Sequence, residues 1–580
     1  MARARLNLAA LLRSRIRASE LWLVVVAIAV GAAAGALTAA VSFSAHALQT
    51  LIYGLAPGQR LSEIAQLSPI GALALPIGGL VLGLATWAWT KRRPGTPVDP
   101  VEANALHGGR MSARDSVFVA VQSVISNGFG ASVGLEAAYA QLGGGFGSVI
   151  GRALNLRRSD LRAFVGAGAG AGIAAAFGAP LTGAFYAFEI IIGSYSVVNI
   201  APVVAAAIAA TWVSRALHAQ PVVLHTAVTD SLVVSHYLLF GVLGVVCAGL
   251  GVAIMRLVAF TEGRVTNLPG PRWLRPVLGG AILAFVAVAD PHTLSAGHGA
   301  MGAEVAVDFT LAALAFLILA KAGASILALG FGFRGGLFFA SLYIGSLVGK
   351  FYIMALEASG VHTGIDPMAG ALVGMGALAV AIIGGPFTMT FLVLETTGDF
   401  SLTAATLTAS IVASLLVRET FGYSFSTWRL HLRGETIRSA HDVSWLRTLT
   451  AGRMMRADAP TIAADTTVEA FRRRFPLGST RRVVGVDASG HYAGVIPVSA
   501  VHAEPNSQEP VSGLMITRDQ WLRPDMAIKE IMGVFDHTES DELAVLDEQQ
   551  GVLGVVSEAY ATRRYAEELE KARRDLVGAD

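Results

Sequence analysis

The chain has 580 residues, of which 54% are hydrophobic and only 14% are charged, and its formal net charge is +2. Soluble globular proteins carry about 25% charged residues, so this composition excludes an ordinary soluble enzyme, and the balanced charge gives no indication of nucleic-acid binding. The single cysteine, Cys247, excludes a disulfide scaffold and a multi-cysteine metal site. The 64 glycines and the hydrophobic excess predict a polytopic membrane protein with glycine-rich spans.

The first apolar stretch, residues 21–41, follows five arginines within residues 1–17. It is longer than the apolar core of a signal peptide, which favours a retained membrane helix. The basic flank predicts that residues 1–17 are cytoplasmic. The next span, residues 70–89, ends in three basic residues at 91–93, which predicts that the chain returns to the cytoplasm there.

Two further stretches, 163–188 and 190–214, contain no charged residue. Each is long enough to cross about 30 Å of hydrocarbon, so each is predicted to span the membrane. Charged residues become frequent after about Trp428. We therefore predict a membrane domain over residues 1–432, a linker over 433–450 and a soluble tail beyond it.

The membrane half contains one pattern twice. A glycine- and alanine-rich run precedes Pro180, and Glu189 follows nine positions later; Pro386 and Glu395 repeat that spacing. Convergent small-residue helix packing could produce similar runs. Because prolines and glutamates match together, we predict an internal duplication, and transporters built from inverted repeats bind substrate where glycine and proline break their helices.

The most informative segment runs from Asn127 to Glu136, where a glycine-rich turn leads into a predicted helix over 137–143. The unpaired N–H groups and partial positive charge of a helix N-terminus form an anion site. Glu136 could place its carboxylate in that site and leave it on protonation, so we predict a gate. A first-turn glutamate can also simply stabilise a surface helix, but ionisable residues inside membranes are usually functional.

The repeat mate of this segment, residues 333–340, also predicts a helix that starts at glycines, and it carries no carboxylate. Two such helix starts would hold an anion with partial charges, which permits both entry and release. Phe338 and Phe339 are also compatible with ordinary core packing.

These segments resemble the CLC family of chloride channels and anion/proton antiporters. The Gly134–Glu136 segment is similar to the family's Gly-Lys/Arg-Glu-Gly-Pro motif, and the Gly336–Phe338 segment is similar to its Gly-x-Phe-x-Pro motif. The resemblance implies an all-α membrane domain of two inverted repeats, a homodimer with one pore per subunit, and Glu136 as the external gate and proton acceptor. It also implies an anion-binding set of Gly134, Leu135, Ala137, Gly336, Leu337, Phe338 and Phe339.

The chain departs from the family pattern at the inner anion contacts. Leu135 replaces a basic residue, and Pro97 stands where the family has a serine that contacts the central anion. Phe425 aligns best with the family's pore tyrosine and Tyr423 second best, but phenylalanine cannot donate a hydrogen bond. These changes leave chloride or a nitrate-like anion as the expected substrate.

The antiporters' internal proton glutamate corresponds to Ile190, which cannot carry a proton, while Glu189 lies one position away. This substitution favours uncoupled or weakly coupled permeation. Anion/proton antiport by the same fold, with water passing Ile190, and a non-conducting membrane sensor are the alternatives. We predict no enzymatic activity, no metal and no cofactor.

The tail repeats the order helix, strand, strand, and it resembles a pair of CBS domains at residues 451–503 and 511–567, followed by a charged helix or tail at 568–580. Some CBS pairs bind adenine nucleotides through an aspartate, but Ala500 and Tyr560 occupy the corresponding positions. We therefore expect a structural or regulatory tail without strong nucleotide affinity. We expect the protein in lipid, in a bacterial inner membrane, with both termini cytoplasmic.

Overall fold

The computed structural model describes residues 20–217, 232–304, 309–434, 449–538 and 540–577. The chain divides into two compact units, Met1–Asp442 and Val443–Asp580. This division falls within the predicted linker 433–450, most of which lies outside the described residues, as do the basic residues of 1–17.

The first unit is helical. Its α-helices in chain order are α1 (Glu20–Tyr53), α2 (Pro69–Ala72), α3 (Ala74–Arg92), α4 (Pro100–Leu106), α5 (Ala113–Gly128), α6 (Glu136–Ala153), α7 (Arg158–Phe177), α8 (Pro180–Tyr186), α9 (Val197–Ala216), α10 (Val234–Thr266), α11 (Arg275–Ala289), α12 (His298–Glu304), α13 (Leu311–Gly330), α14 (Phe338–Ala358), α15 (Pro367–Ile383), α16 (Pro386–Thr397), α17 (Phe400–Thr420) and α18 (Phe425–Leu432). Among the described residues, eight helices are long and apolar enough to cross a membrane.

The two predicted N-terminal spans lie within Leu21–Tyr53 and Pro69–Arg92, which are both apolar enough to cross. The prediction of one span over 163–188 is wrong. Helix α7 ends at Phe177 because Gly178 adopts a left-handed φ of 66° and Pro180 starts a new helix. Helix α8 then passes into a π-helical turn, Ala187–Ile192, and α9 begins only at Val197. Short broken helices of this kind leave helix ends inside the membrane domain.

The internal duplication is visible in helix packing. A Cβ atom at Gly143 in α6 would lie 2.0 Å from the carbonyl oxygen of Gly168 in α7. In the second copy, a Cβ atom at Gly345 in α14 would lie 2.4 Å from the carbonyl oxygen of Gly374 in α15. Only glycine permits such close backbone approach, and the same contact recurs at matching positions of the two copies.

The two glutamates of the repeated pattern cap each other's helices. The Glu189 carboxylate accepts hydrogen bonds from the N–H groups of Phe387 and Thr388, at 3.1 and 2.8 Å, and from the Thr388 hydroxyl at 2.7 Å. In the same way, Glu395 accepts from the N–H groups of Leu181 and Thr182 and from the Thr182 hydroxyl, each at 2.8 Å. A carboxylate at a helix N-terminus satisfies donors that lack an intrahelical partner. The repeated spacing from proline to glutamate therefore places a carboxylate in each copy where it caps the helix of the other copy. These two caps connect α8 and α16.

The second unit contains two α/β repeats. Its elements are α19 (Ala451–Met454), β1 (Thr461–Ala463), α20 (Val468–Arg474), β2 (Arg482–Val486), β3 (Tyr492–Pro497), α21 (Val498–Ala503), α22 (Ile528–Thr538), β4 (Glu542–Leu546), β5 (Val552–Ser557) and α23 (Glu558–Val577). Strands β2 and β3 pair antiparallel, as do β4 and β5, and β1 pairs parallel with β2.

The turns of the two repeats match in detail. The Asp487 carboxylate accepts hydrogen bonds from the N–H groups of Ser489 and His491. The Asp547 carboxylate accepts hydrogen bonds from those of Gln549 and Gly551. These turns follow α20 and α22 in the predicted order helix, strand, turn, strand, so that prediction is confirmed. Helix α23 runs continuously through residue 567, where the sequence had suggested that a separate tail begins.

Candidate functional site

The N-terminal starts of α6 and α14 meet. The Gly134 N–H donates to the Gly336 carbonyl oxygen at 3.0 Å, and the Gly336 N–H donates to the Gly134 carbonyl oxygen at 3.1 Å. Leu135 and Leu337 are the N-cap residues of these helices, and neither provides a side-chain cap. Both helix starts therefore present backbone N–H groups at one junction, where their dipoles favour negative charge.

The Glu136 carboxylate occupies this junction. Its side chain is only 4% exposed, and it is the first residue of α6. Within the part of the chain that the structure describes, its Oε2 atom has no hydrogen-bond partner. A buried carboxylate oxygen without a partner is costly, so the junction holds this carboxylate only partly satisfied.

Other predicted anion-binding residues of the two motifs lie at the same junction. A Cβ atom at Gly336 would lie 3.5 Å from Oε2 of Glu136 and 3.6 Å from the backbone nitrogen of Ala137. Phe338 and Phe339 are the first two residues of α14. Their ring centroids lie 5.1 and 6.3 Å from that of Phe177. The junction thus has polar backbone groups at its centre and an aromatic wall.

Phe425 begins α18 and belongs to the same buried cluster as Phe338. Tyr423, the second candidate for the pore tyrosine, instead places its hydroxyl 3.2 Å from Nδ1 of His431. Pro97 precedes α4, and the carbonyl of the neighbouring Val98 accepts a hydrogen bond from Gln141 in α6 at 2.9 Å. The segment of Pro97 is therefore attached to the helix that starts at Glu136.

Ile190 does not lie at this junction. It lines a separate cavity of about 150 Å³, whose walls also include Glu189, Tyr423, Arg418 and Gly384. Both carboxylate oxygens of Glu189 accept hydrogen bonds at the start of α16, so this glutamate has a structural role.

Three residues that the sequence did not single out share a small cavity with Glu136. Arg60, Tyr139 and His298 line a space of about 30 Å³ beside the carboxylate. The His298 ring stacks on Phe339, with centroids 3.7 Å apart. Arg60 lies in the connection between α1 and α2, and His298 follows a glycine. Neither residue is therefore part of a recognisable sequence motif. Their position depends on contacts between distant segments.

Tyr186 was also missed. Its ring centroid lies 6.0 Å from that of Phe338, although its only feature in the sequence is a place in an apolar run.

A family model described as "Voltage gated chloride channel" matches residues 78–418. The chain belongs to this family. Members of the voltage gated chloride channel family transport chloride-type anions across membranes, and this chain is a multi-pass membrane protein of that family.

Two bacterial proteins illustrate the relationship within the voltage gated chloride channel family. A "Putative chloride channel protein ClcB-like" from Ralstonia nicotianae is 28% identical over 357 residues, which cover 59% of this chain and 81% of the relative. The "Voltage-gated ClC-type chloride channel ClcB" of Escherichia coli is 27% identical over 369 residues, which cover 62% and 87%.

Two solved structures share the fold. The slow cyanobacterial Cl−/H+ antiporter superposes with a TM-score of 0.62 at 22% identity, over 71% of this chain and 97% of the other. A eukaryotic CLC transporter superposes with a TM-score of 0.59 at 18% identity, over 95% and 98%. The second match extends through the C-terminal unit. The predicted fold class, a CLC-like helical membrane domain followed by an α/β pair of CBS type, is confirmed.

Proposed function

We propose that the protein conducts chloride or a similar small inorganic anion through a separate pore in each subunit of a homodimer, with Glu136 as the gate. One observation carries this proposal. The Glu136 carboxylate lies at the meeting point of two helix starts, where a free anion would otherwise bind, and its Oε2 atom has no hydrogen-bond partner among the described residues.

The gate works by competition for one site. An ionised carboxylate is attracted by the N–H groups at the starts of α6 and α14, so it excludes a second anion. Protonation removes this attraction, and the neutral side chain can leave the junction to a permeating anion. Anion flux should therefore rise as the pH falls.

Uncoupled or weakly coupled permeation is favoured over tight proton exchange. Ile190 cannot bind a proton, and Glu189 is held by three donors at the start of α16. Neither residue can readily deliver a cytoplasmic proton to Glu136.

Anion/proton antiport is the second candidate. The cavity of about 150 Å³ beside Ile190 is large enough for several water molecules, and a water chain could replace the missing carboxylate. Two solved structures with this fold are described as a Cl−/H+ antiporter and a fluoride/proton antiporter.

The Glu136→Gln variant tests the gate. In liposomes with a chloride gradient and an imposed potential, we expect this variant to conduct faster than the unmodified protein and to lose the pH dependence of flux, because the amide is permanently neutral. Exposed Glu419 at the end of α17 supplies the matched control, Glu419→Gln, which should behave like the unmodified protein.

The internal pH of the same liposomes separates the two candidates. Downhill anion movement without uphill proton movement supports uncoupled permeation, whereas uphill proton movement driven by the anion gradient would establish antiport. A Glu136→Gln variant that keeps the original pH profile would reject Glu136 as the gate.

The proposal extends to the tail and to the location of the protein. We place the membrane domain in a bacterial inner membrane, in keeping with the bacterial relatives, with the tail in the cytoplasm. The tail has a structural or regulatory role and does not depend on a bound adenine nucleotide.

A further inference from the structure

Lys321 is a charged residue in the interior of the membrane domain. It lies in the middle of α13, which is apolar enough to cross a membrane, and it is only 1% exposed. Its Nζ atom donates hydrogen bonds to the carbonyl oxygens of Thr293 and Ser295, at 3.0 and 2.8 Å. Burial of a charge is costly, and ionisable residues inside membrane segments are usually functional. The segment that Lys321 holds therefore indicates its role.

That segment connects α11 to α12, and Ser295 contacts the turn that precedes α6. Ser295 adopts a left-handed φ of 55°, which is strained for a residue other than glycine and persists only where the surroundings maintain it. Its N–H donates to the Gly130 carbonyl at 3.0 Å, and its hydroxyl accepts a hydrogen bond from the Asn127 amide at 2.9 Å. The same amide donates to the Val133 carbonyl at 2.8 Å. Lys321 is thus connected to this turn through Ser295.

Helix α13 also contacts the turn directly. The Oγ atoms of Ser325, one helical turn after Lys321, and Ser132 lie 3.1 Å apart, and both residues are buried. Asn127 is buried as well. A fully buried polar network of this kind fixes the geometry of the groups that it joins. The turn before Glu136 is therefore attached to α13 at two places.

The carbonyl oxygens of the turn, residues 129–134, are directed at donors within the protein. They accept as follows: Phe129 from the Tyr53 hydroxyl, Gly130 from Ser295, Ala131 from the Val133 N–H, Val133 from Asn127, and Gly134 from the Gly336 N–H. A carbonyl oxygen carries a partial negative charge and would repel an anion, whereas N–H groups attract it. Engagement of these oxygens leaves the junction to N–H groups.

We propose that Lys321 and Asn127 are positioning residues of the anion site. Through Ser295 they keep the carbonyl oxygens of the turn 129–134 directed away from a bound anion, an inference that rests on the proposed anion permeation. An ammonium group suits this role because its three donors can hold two carbonyl oxygens of the strained segment at once.

The Lys321→Met variant tests this assignment, since it keeps a long unbranched side chain and removes the ammonium group. Chloride binding is measured by titration calorimetry on the full-length, detergent-purified protein in the Glu136→Gln background, where no carboxylate competes. We expect the chloride Kd to rise about tenfold, within the range seen for residues that act on a site without touching the ligand. The matched control is Lys350→Met, which removes a second buried ammonium group about 18 Å along α14 from the junction and should leave the Kd unchanged.

Ser295→Gly is a milder second test, which stays informative if Lys321→Met fails to fold. Glycine adopts the left-handed φ without strain, so this variant loses only the hydroxyl that accepts from Asn127. We expect the Kd to rise about threefold, the usual effect of losing one neutral hydrogen bond. Because both substitutions act through one chain of contacts, the double variant should raise the Kd by less than the product of the two single effects.

The outcomes distinguish this assignment from the proposed function. Kd values within twofold of the background protein for both Lys321→Met and Ser295→Gly overturn the positioning role, and so does an equal rise for Lys350→Met. A tenfold rise specific to Lys321→Met supports the role even if the unmodified protein moves no anion in liposomes, a result that would reject permeation alone. Absence of chloride binding to the Glu136→Gln protein would reject the anion site and both proposals with it.

Discussion

At the scale of single residues, the proposed gate depends on a glycine. A Cβ atom at Gly134 would lie 1.9 Å from Oε2 of Glu136, closer than any real contact, whereas a Cβ atom at Gly336 would lie 3.5 Å from the same oxygen. The atom in conflict is the end of a flexible side chain, so the carboxylate rather than the backbone should yield. The size of residue 134 therefore controls whether Glu136 can occupy the junction.

This contrast predicts different behaviour for two similar substitutions. Gly134→Ala should displace the Glu136 carboxylate, raise anion flux at neutral pH and weaken its pH dependence, because the plug no longer fits. Gly336→Ala is the matched control and should remain close to the unmodified protein. Both are measured by chloride efflux from liposomes over a pH series. Equal flux from the two variants would contradict the role assigned to Gly134.

At the scale of elements, the reciprocal caps hold the two repeats together. Each of Glu189 and Glu395 accepts three hydrogen bonds from the helix start of the other copy. Removal of either carboxylate would leave two N–H groups and one hydroxyl without their partner. Helices α8 and α16 would then lose the contact that fixes their starts.

We expect Glu189→Ala and Glu395→Ala each to lower the thermal midpoint of the purified protein by several degrees. The expected loss of stability is about 1–2 kcal/mol, since loss of a side-chain cap at a helix N-terminus typically costs about 0.5–2 kcal/mol. The two losses should be similar because the two caps are equivalent. Glu419→Ala, at an exposed position, should change the midpoint little. A large loss from only one of the two cap variants would show that the caps are not equivalent.

At the scale of the whole molecule, the open question is where the proposed homodimer has its subunit interface. Apolar side chains are exposed over many membrane helices, for example Trp212 at 73% and Phe285 at 81%. In a bilayer such residues can face either lipid or a second subunit, because lipid tails are as apolar as leucine. Surface composition therefore does not mark the interface of the proposed homodimer. The number of subunits in the complex must be measured directly.

Light scattering on the purified protein, with the detergent contribution subtracted, measures the mass of the complex and so the number of subunits. We expect a protein mass of about twice the 60.3 kDa of one chain. Photobleaching in bilayers, where detergent cannot separate the subunits, should likewise count two subunits per complex. A single bleaching step throughout would contradict the homodimer and leave each pore as an independent protein.

Several features follow from the sequence because they depend on neighbouring residues. Few charges predicted the membrane domain, and the glycine-rich starts before Glu136 and Phe338 predicted two helix N-termini. The recurrence of proline and glutamate at one spacing predicted the duplication. It did not show that each glutamate caps a helix of the other copy. The order of apolar and polar runs predicted the α/β repeats of the tail.

Other features were decided by tertiary structure alone. The sequence did not indicate that 163–188 breaks into two helices, that Glu189 and Glu395 exchange caps, or that Arg60 and His298 lie beside Glu136. It also offered no reason to place Tyr186 near Phe338. The physical reason is the range of the interactions. Helix starts, turns and hydrophobic runs are governed by residues a few positions apart, whereas a site is formed by packing of segments that are distant in sequence, and local patterns do not specify those contacts.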